Sequence, residues 1–279
     1  MINYFEKERL RSHTFTVEGA GAQEYVEIQR LGISEELYAT LDSGYWEGEQ
    51  TRLSKRLTVD HLARMEDHDD TVVIDFANAF IGGGALKRGS AQEEILFLIY
   101  PQLHVAVLVC EKMDYNEVIS LVNFRRFAHY EGFHKTLKFV KAADVGEQRR
   151  DFIAMDALKF GSGGKKNEHA TEVIAAEEQF HMSNVLRELN KALIGFTLAP
   201  ESRFKVISTG KWGCGAFGGD PQLKFLVQWM AVTVAGHPMI FHTFQDNDRL
   251  EDLAEVSTRY LNGKTVGELY NYIKKYSKG

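Results

Sequence analysis

Short β-branched runs alternate with longer stretches of helical period along most of this chain. Val72-Val73-Ile74-Asp75-Phe76 follows the polar Asp67-His68-Asp69-Asp70 and reads as a buried strand. Residues 117–124 and 152–158 predict further strands, and residues 93–100 predict a helix that stops at Pro101. Residues 104–110 fit either a helix or a strand. A helix is expected over 177–194, ending near Gly195, and a strand over 204–208. The helix expected over 222–235 is apolar almost all round and therefore buried. Asp220-Pro221 supplies its N-cap and first position, and Gly236 and Pro238 end it. Residues 239–244 return as a strand, and Thr265-Val266-Gly267-Glu268 is a capping box that opens a last helix. Strands alternating with helices predict an α/β fold, its sheet parallel or mixed and covered on both faces.

Residues 1–62 have a different character, rich in Glu, Arg and Leu, with runs such as Ser34-Glu35-Glu36-Leu37. They read as a helical accessory segment packed on a domain formed by residues 63–279. Residues 161–167 read as a flexible loop within an insertion over 159–180, whose Lys165-Lys166 pair is most simply solvated. With 279 residues, 44% hydrophobic and 26% charged, the chain can bury a sizeable core. No apolar run reaches membrane-spanning length, and the first residues lack a signal peptide's apolar block. Two cysteines give no disulfide framework and fit an intracellular, reducing setting, cytoplasmic or nuclear. A net charge of −6 argues against broad attraction to nucleic acid.

Candidate chemistry concentrates where glycine follows a strand. Gly82, Gly83 and Gly84 come after the 72–76 strand and are followed by Gln92-Glu93-Glu94. Glycine permits φ > 0 and close backbone approach, and exposed amides cradle phosphate. Adjacent carboxylates beside an anion site point to cleavage of a nucleotide sugar rather than transfer of its phosphate. A second loop, Gly213-Cys214-Gly215-Ala216-Phe217-Gly218-Gly219, matches G-x-G-x-x-G. A dinucleotide fold would place it early, with an acidic residue about 20 positions on. Neither condition holds, so anion binding is the expectation and nicotinamide chemistry is not. Phe133 and Phe244 are aromatic candidates for stacking a base.

These stretches, together with Arg187-Glu188-Leu189-Asn190-Lys191-Ala192 and Trp212-Gly213-Cys214-Gly215, resemble the poly(ADP-ribose) glycohydrolase family over residues 63–276. The resemblance implies a macrodomain-like three-layer fold, a mixed sheet between helices, with ADP-ribose in a cleft at the strand ends. It makes Glu94 the catalytic acid/base, with Glu93 and Asn78 holding ribose hydroxyls and ordering the loop. Gln92 would also bind substrate, Asp75 would brace the loop from the strand end, and Glu66 would read adenine. Trp212, Gly213, Cys214, Gly215 and Ala216 would wrap the diphosphate, followed by Phe217, and Phe244 would pack on the adenosine side. Two departures from the family pattern are Lys211, where Asn is usual, and Phe133, where Tyr is usual. Losing one hydroxyl hydrogen bond costs only about 0.5–1.5 kcal/mol.

The implied activity is hydrolysis of ribose–ribose bonds in poly(ADP-ribose), in a DNA damage response setting, without a cofactor. The implied partners are the polymer and ADP-ribosylated proteins, with ADP-ribose as product and the chain acting as a monomer. Glu93 beside Glu94 is expected to raise the pKa of one of the two. Alternatives are a macrodomain that binds ADP-ribose without cutting it, and an enzyme removing single ADP-ribose groups from proteins. His61 and His68, with acidic residues around them, lack metal-ligand spacing and read as solvated loop charge.

Overall fold

The computed structural model describes residues 9–18, 25–144, 149–161, 173–199, 206–244, 250 and 252–278. In chain order the strands are β1 (Arg9–Glu18), β2 (Tyr25–Ile33), β3 (Leu57–Asp60), β4 (Thr71–Asp75), β5 (Glu117–Phe124) and β6 (Ala128–Glu131). They continue as β7 (Lys138–Ala142), β8 (Arg150–Ala154), β9 (Lys159–Gly161), β10 (Val173–Ala175), β11 (Val206–Gly210) and β12 (Met239–His242). The helices that matter here are α1 (Glu35–Thr40), α2 (Ser43–Gly48), α3 (Gln92–Ile99), α4 (His104–Val109), α5 (Met182–Leu198), α6 (Pro221–Ala235) and α7 (Val266–Tyr276).

Eight strands form one sheet in the order β1-β2-β5-β8-β4-β11-β12-β3. From β8 to β3 all neighbours are parallel, and from β1 to β8 all are antiparallel. The sheet is therefore mixed, as expected. Its two faces follow from the period of two along each strand. Val72 and Ile74 of β4 join Val118, Ile153 and Ile207 under α5, α6 and α7. Val73 points the other way, with Ile119, Leu121 and Phe152, beneath α3 and α4. Two apolar layers on one buried sheet give the three-layer arrangement.

Local signals set most of the helix ends. The Asp220 side chain accepts a hydrogen bond from the Leu223 N–H, Pro221 takes the first turn of α6, and Gly236 closes it at φ 80°. Thr265 caps α7 as its capping box predicts. The ambiguous 104–110 segment is helical. α5 runs past Gly195 to Leu198: a Cβ at Gly195 would lie 3.1 Å from the Met155 sulfur, so this glycine permits close approach to the sheet rather than ending the helix. Of the loop expected over 161–167, Gly161 ends β9, and residues 162–167, with Lys165 and Lys166, lie outside the described residues.

The helical character expected of residues 1–62 needs correction. Among its described residues only α1 and α2 are helical; β1 and β2 extend the antiparallel side of the sheet, and β3 forms its opposite edge. The alternation that signals a strand is hidden in β2, because all but its first residues are buried on both faces. Asn190 of α5 ties the α1–α2 region down: its amide donates to the Leu41 carbonyl (2.9 Å), and its oxygen accepts from the Trp46 indole (2.8 Å). Among the described residues, no helix is long and apolar enough to cross a membrane.

Asn190→Ala would leave a buried carbonyl and a buried indole N–H unsatisfied, at about 1–3 kcal/mol each. Urea unfolding should therefore show a loss of about 2–4 kcal/mol, and a loss below ~1 kcal/mol would mean that this pin is not what holds the segment.

Candidate active site

Parallel neighbours end at the same edge of a sheet, so β4 and β11 deliver their following loops side by side. After β4 the chain turns through Gly82 (φ 90°) and Gly83 (φ 45°) and then enters α3. Glu93 points inward, 3% exposed, and accepts from the N–H groups of Gly82 (2.6 Å) and Asn78 (3.0 Å). Glu94 is half-buried and accepts from Gly84 (3.0 Å) and Ala91 (2.8 Å). A Cβ at Gly83 would lie 2.7 Å from Glu93 Oε2 and 3.1 Å from Glu94 Oε1. The glycine is therefore required where the two carboxylates close in.

This geometry revises the phosphate cradle expected at Gly82–Gly84. The Gly82 and Gly84 amides hold the two glutamates, and that of Gly83 donates to the Phe80 carbonyl. The first glycine run organises the acids and offers no amide to a ligand.

Asp75 ends β4 fully buried, and neither of its carboxylate oxygens has a hydrogen-bond partner. The bracing expected of it belongs to Gln92, which accepts from the Phe76 N–H (2.9 Å) and donates to the Ile74 carbonyl (3.1 Å). Burial, reinforced by the Glu94 charge, raises Asp75 to about 8. Burial and then the Asp75 charge push Glu93 well above the usual carboxylate range. Asn78 Oδ1 is occupied by the Phe80 N–H.

The second loop is built differently. Gly219 N–H closes onto the Gly213 carbonyl and Gly218 N–H onto that of Gly215. Among the described residues, the amides of Gly215, Ala216 and Phe217 donate to no protein group, and Gly215 and Ala216 are exposed. Successive free N–H groups on a turn form an anion nest. Trp212 cannot wrap a ligand with its ring: it is wholly buried, and its indole donates to the Met155 carbonyl (2.9 Å). The Met155 N–H in turn donates to the Asp75 carbonyl, so one residue links both loops. Phe217 is half-buried, and its carbonyl accepts from Phe160 N–H. Cys214 is half-buried, its Sγ 3.6 Å from the Trp212 carbonyl.

Three sequence-predicted contacts lie around this edge. Phe244, 38% exposed at φ 53°, packs on Gly210, with the Lys211 ammonium 5.9 Å from its ring. Glu66 is buried and accepts from the Tyr130 hydroxyl (2.7 Å), and burial raises its pKa. Phe133 is exposed at the β6–β7 turn, next to His134, whose ring hydrogen-bonds Ser90 just ahead of α3. His68 departs from the solvated reading: it pairs with Asp60 at 3.0 Å, beside His242. Both His242 ring nitrogens are engaged, by the Ala63 carbonyl and Ser208, and burial lowers this histidine to about 4.

Sequence reading did not assign the buried charges below the second loop. Lys224 pairs with Glu188, Glu188 with Arg187, Arg187 with Asp156 and Asp156 with Lys191. Burial drives Lys224 well below the usual lysine range and brings Lys191 down to about 8. Lys224 Nζ lies 4.1 Å from the Trp212 ring centroid, and a Cβ at Gly213 would approach it to 3.1 Å. A lone lysine in the otherwise apolar 222–235 run was the signal that could have found this cluster.

The family described as poly(ADP-ribose) glycohydrolase, macro domain fold, matches residues 43–251. Among curated proteins, Poly(ADP-ribose) glycohydrolase 1 of Caenorhabditis elegans is 37% identical over 75% of this chain and 28% of its own length. Poly(ADP-ribose) glycohydrolase 1 of Arabidopsis thaliana is 29% identical over 90% of this chain and 57% of its own length. The chain thus spans between about a quarter and somewhat over half of these relatives. A crystal structure of poly(ADP-ribose) glycohydrolase from Deinococcus radiodurans in complex with ADP-ribose is similar at TM-score 0.44 and 15% identity, covering 81% of this chain and 94% of that one. With the family profile spanning most of its length, this chain belongs to the poly(ADP-ribose) glycohydrolase family and has its macro domain fold.

Proposed function

We propose that this domain hydrolyses the ribose–ribose O-glycosidic bonds of poly(ADP-ribose) and releases ADP-ribose, with Glu94 as the acid/base. The observation that carries the reading is the contrast between neighbouring glutamates. Glu93 is sealed in, whereas Glu94 is half-exposed with both oxygens positioned by backbone amides. A positioned carboxyl group that protonates a leaving ribose oxygen contributes about 10²–10⁴-fold to rate. In this mechanism Glu94 donates its proton to that oxygen and then takes one from the attacking water. Positive charge building on the ribose is stabilised by the diphosphate alongside.

The free amides of Gly215, Ala216 and Phe217 are the groups that support diphosphate binding. Phe244 offers an exposed ring for the adenine, with Glu66 and its Tyr130 partner nearby as polar readers. Glu93 acts by fixing the turn: its bonds to Asn78 and Gly82 hold the backbone that aims Glu94.

Glu94→Gln should lower ADP-ribose release from polymer by at least about 10²-fold, while calorimetric titration shows ADP-ribose still binding. Turnover within threefold of the parent protein would remove Glu94 from the reaction.

Asp75 generates a separate prediction. In the folded protein it keeps its proton to about pH 8, whereas the unfolded chain loses it near pH 4. Folding stability therefore falls as pH rises through that interval and flattens above it. Asp75→Asn removes this contribution, so its melting temperature should decline less between pH 5 and pH 8 and exceed the parent's at pH 8. Each kcal/mol gained corresponds to about 2–4 °C. Parallel melting profiles for the two proteins would show that Asp75 titrates normally.

A further inference from the structure

Cations stand on the outer side of Glu94 that the reaction proposed above leaves without a task. Lys87 and Arg88 are exposed on the turn between Gly84 and α3, which is closed by bonds from the Lys87 and Gly89 N–H groups to the Gly84 carbonyl (2.8 and 3.1 Å). Gly89, the next residue, packs directly on the glutamate: a Cβ there would fall 2.5 Å from Glu94 Cγ. Consecutive Cα atoms are about 3.8 Å apart, so Arg88 begins within one residue of that contact. Ser90 then hydrogen-bonds His134, which draws the tip of the β6–β7 hairpin to the same turn and brings Lys135, also exposed. Among the described residues, Lys87, Arg88 and Lys135 make no ion pair, on a chain whose net charge is −6. Local cations on an acidic protein concentrate attraction for an anion at one place.

The chemistry of the polymer says which anion that is. A unit held with its own diphosphate at the 213–219 loop presents its scissile bond to Glu94. The hydroxyl that leaves belongs to a second ribose, and that ribose carries a further diphosphate. This second unit has to extend past Glu94, away from the glycine loop.

Resting on the reading above, we propose that Lys87, Arg88 and Lys135 form a leaving-side subsite that grips the diphosphate of the neighbouring ADP-ribose unit. It discriminates polymer from free ADP-ribose, because only the polymer reaches both anion sites at once. The contacts are made by solvated side chains, so their contribution weakens with salt.

The test is titration of a short ADP-ribose oligomer and of ADP-ribose into Glu94→Gln protein, with and without Lys87→Ala and Arg88→Ala together, at several salt concentrations. The double substitution should weaken oligomer binding roughly tenfold at low salt and flatten the salt dependence by about 0.7 per lost phosphate contact, with ADP-ribose affinity changed less than about twofold. Lys135→Ala should act in the same direction. Equal losses for oligomer and ADP-ribose would overturn the subsite, as would an unchanged oligomer affinity and salt slope. If the Glu94→Gln parent binds neither ligand, the proposed function falls first and the subsite with it. A parent that binds ADP-ribose but is indifferent to Lys87 and Arg88 overturns the subsite alone.

Discussion

The site is organised by the need to keep a buried carboxylate hydrogen-bonded. Glu93 lies under the surface at the mouth of a parallel sheet, where an unpartnered acid would cost several kcal/mol. The backbone answers by turning Gly82 and Asn78 N–H groups onto it, and that turn needs positive φ at Gly82 and Gly83. No side chain fits at Gly83, because the glutamate oxygens occupy the space. Once the turn is made, Gly84 and Ala91 are in place to hold Glu94 facing outward. The position of one glutamate is thus a consequence of satisfying its neighbour.

This reverses the usual logic of a glycine run. Glycine-rich turns are commonly read as phosphate cradles because their amides are free, yet here the first turn has none to offer. The second does, at Gly215, Ala216 and Phe217. The difference lies in the helix that each turn opens. Glutamates lie in the first turn of α3, close enough to fold back on the amides, whereas α6 starts with Asp220, whose side chain caps its own helix at Leu223. Two loops of similar glycine content therefore differ in their amides: the first turns them onto glutamates, and the second leaves three without a protein acceptor among the described residues.

Legibility in the sequence divides along the same line. Elements defined by contiguous residues were readable: the β4 run, the Asp220–Pro221 start and Gly236 stop of α6, and the capping box at Thr265. Elements defined by distant partners were not. β1 and β2 are strands because β5 completes their ladder, and β2 is buried on both faces, which removes the polar alternation that would announce it. In the site, the pairing of carboxylates with glycines was visible as composition, but the direction of the hydrogen bonds was not. The Trp212 indole anchors on Met155, and the Gln92 amide clasps Ile74 and Phe76, bonds between residues far apart in the chain.

The deepest of these distant dependencies is the charge cluster below the second loop. Five charged groups from α5, α6 and the segment after β8 are buried together, an arrangement that seldom adds stability over apolar packing. Its retention makes sense through the loop above it. Lys224 lies against the face of Trp212, and a Cβ at Gly213 would fall 2.6 Å from the Ala157 Cβ and 3.1 Å from Lys224 Nζ. Replacing the cluster with apolar groups would remove the contact of Lys224 with the Trp212 face that backs the loop. A fold that needed only a stable core would have no reason to bury those groups under this one loop.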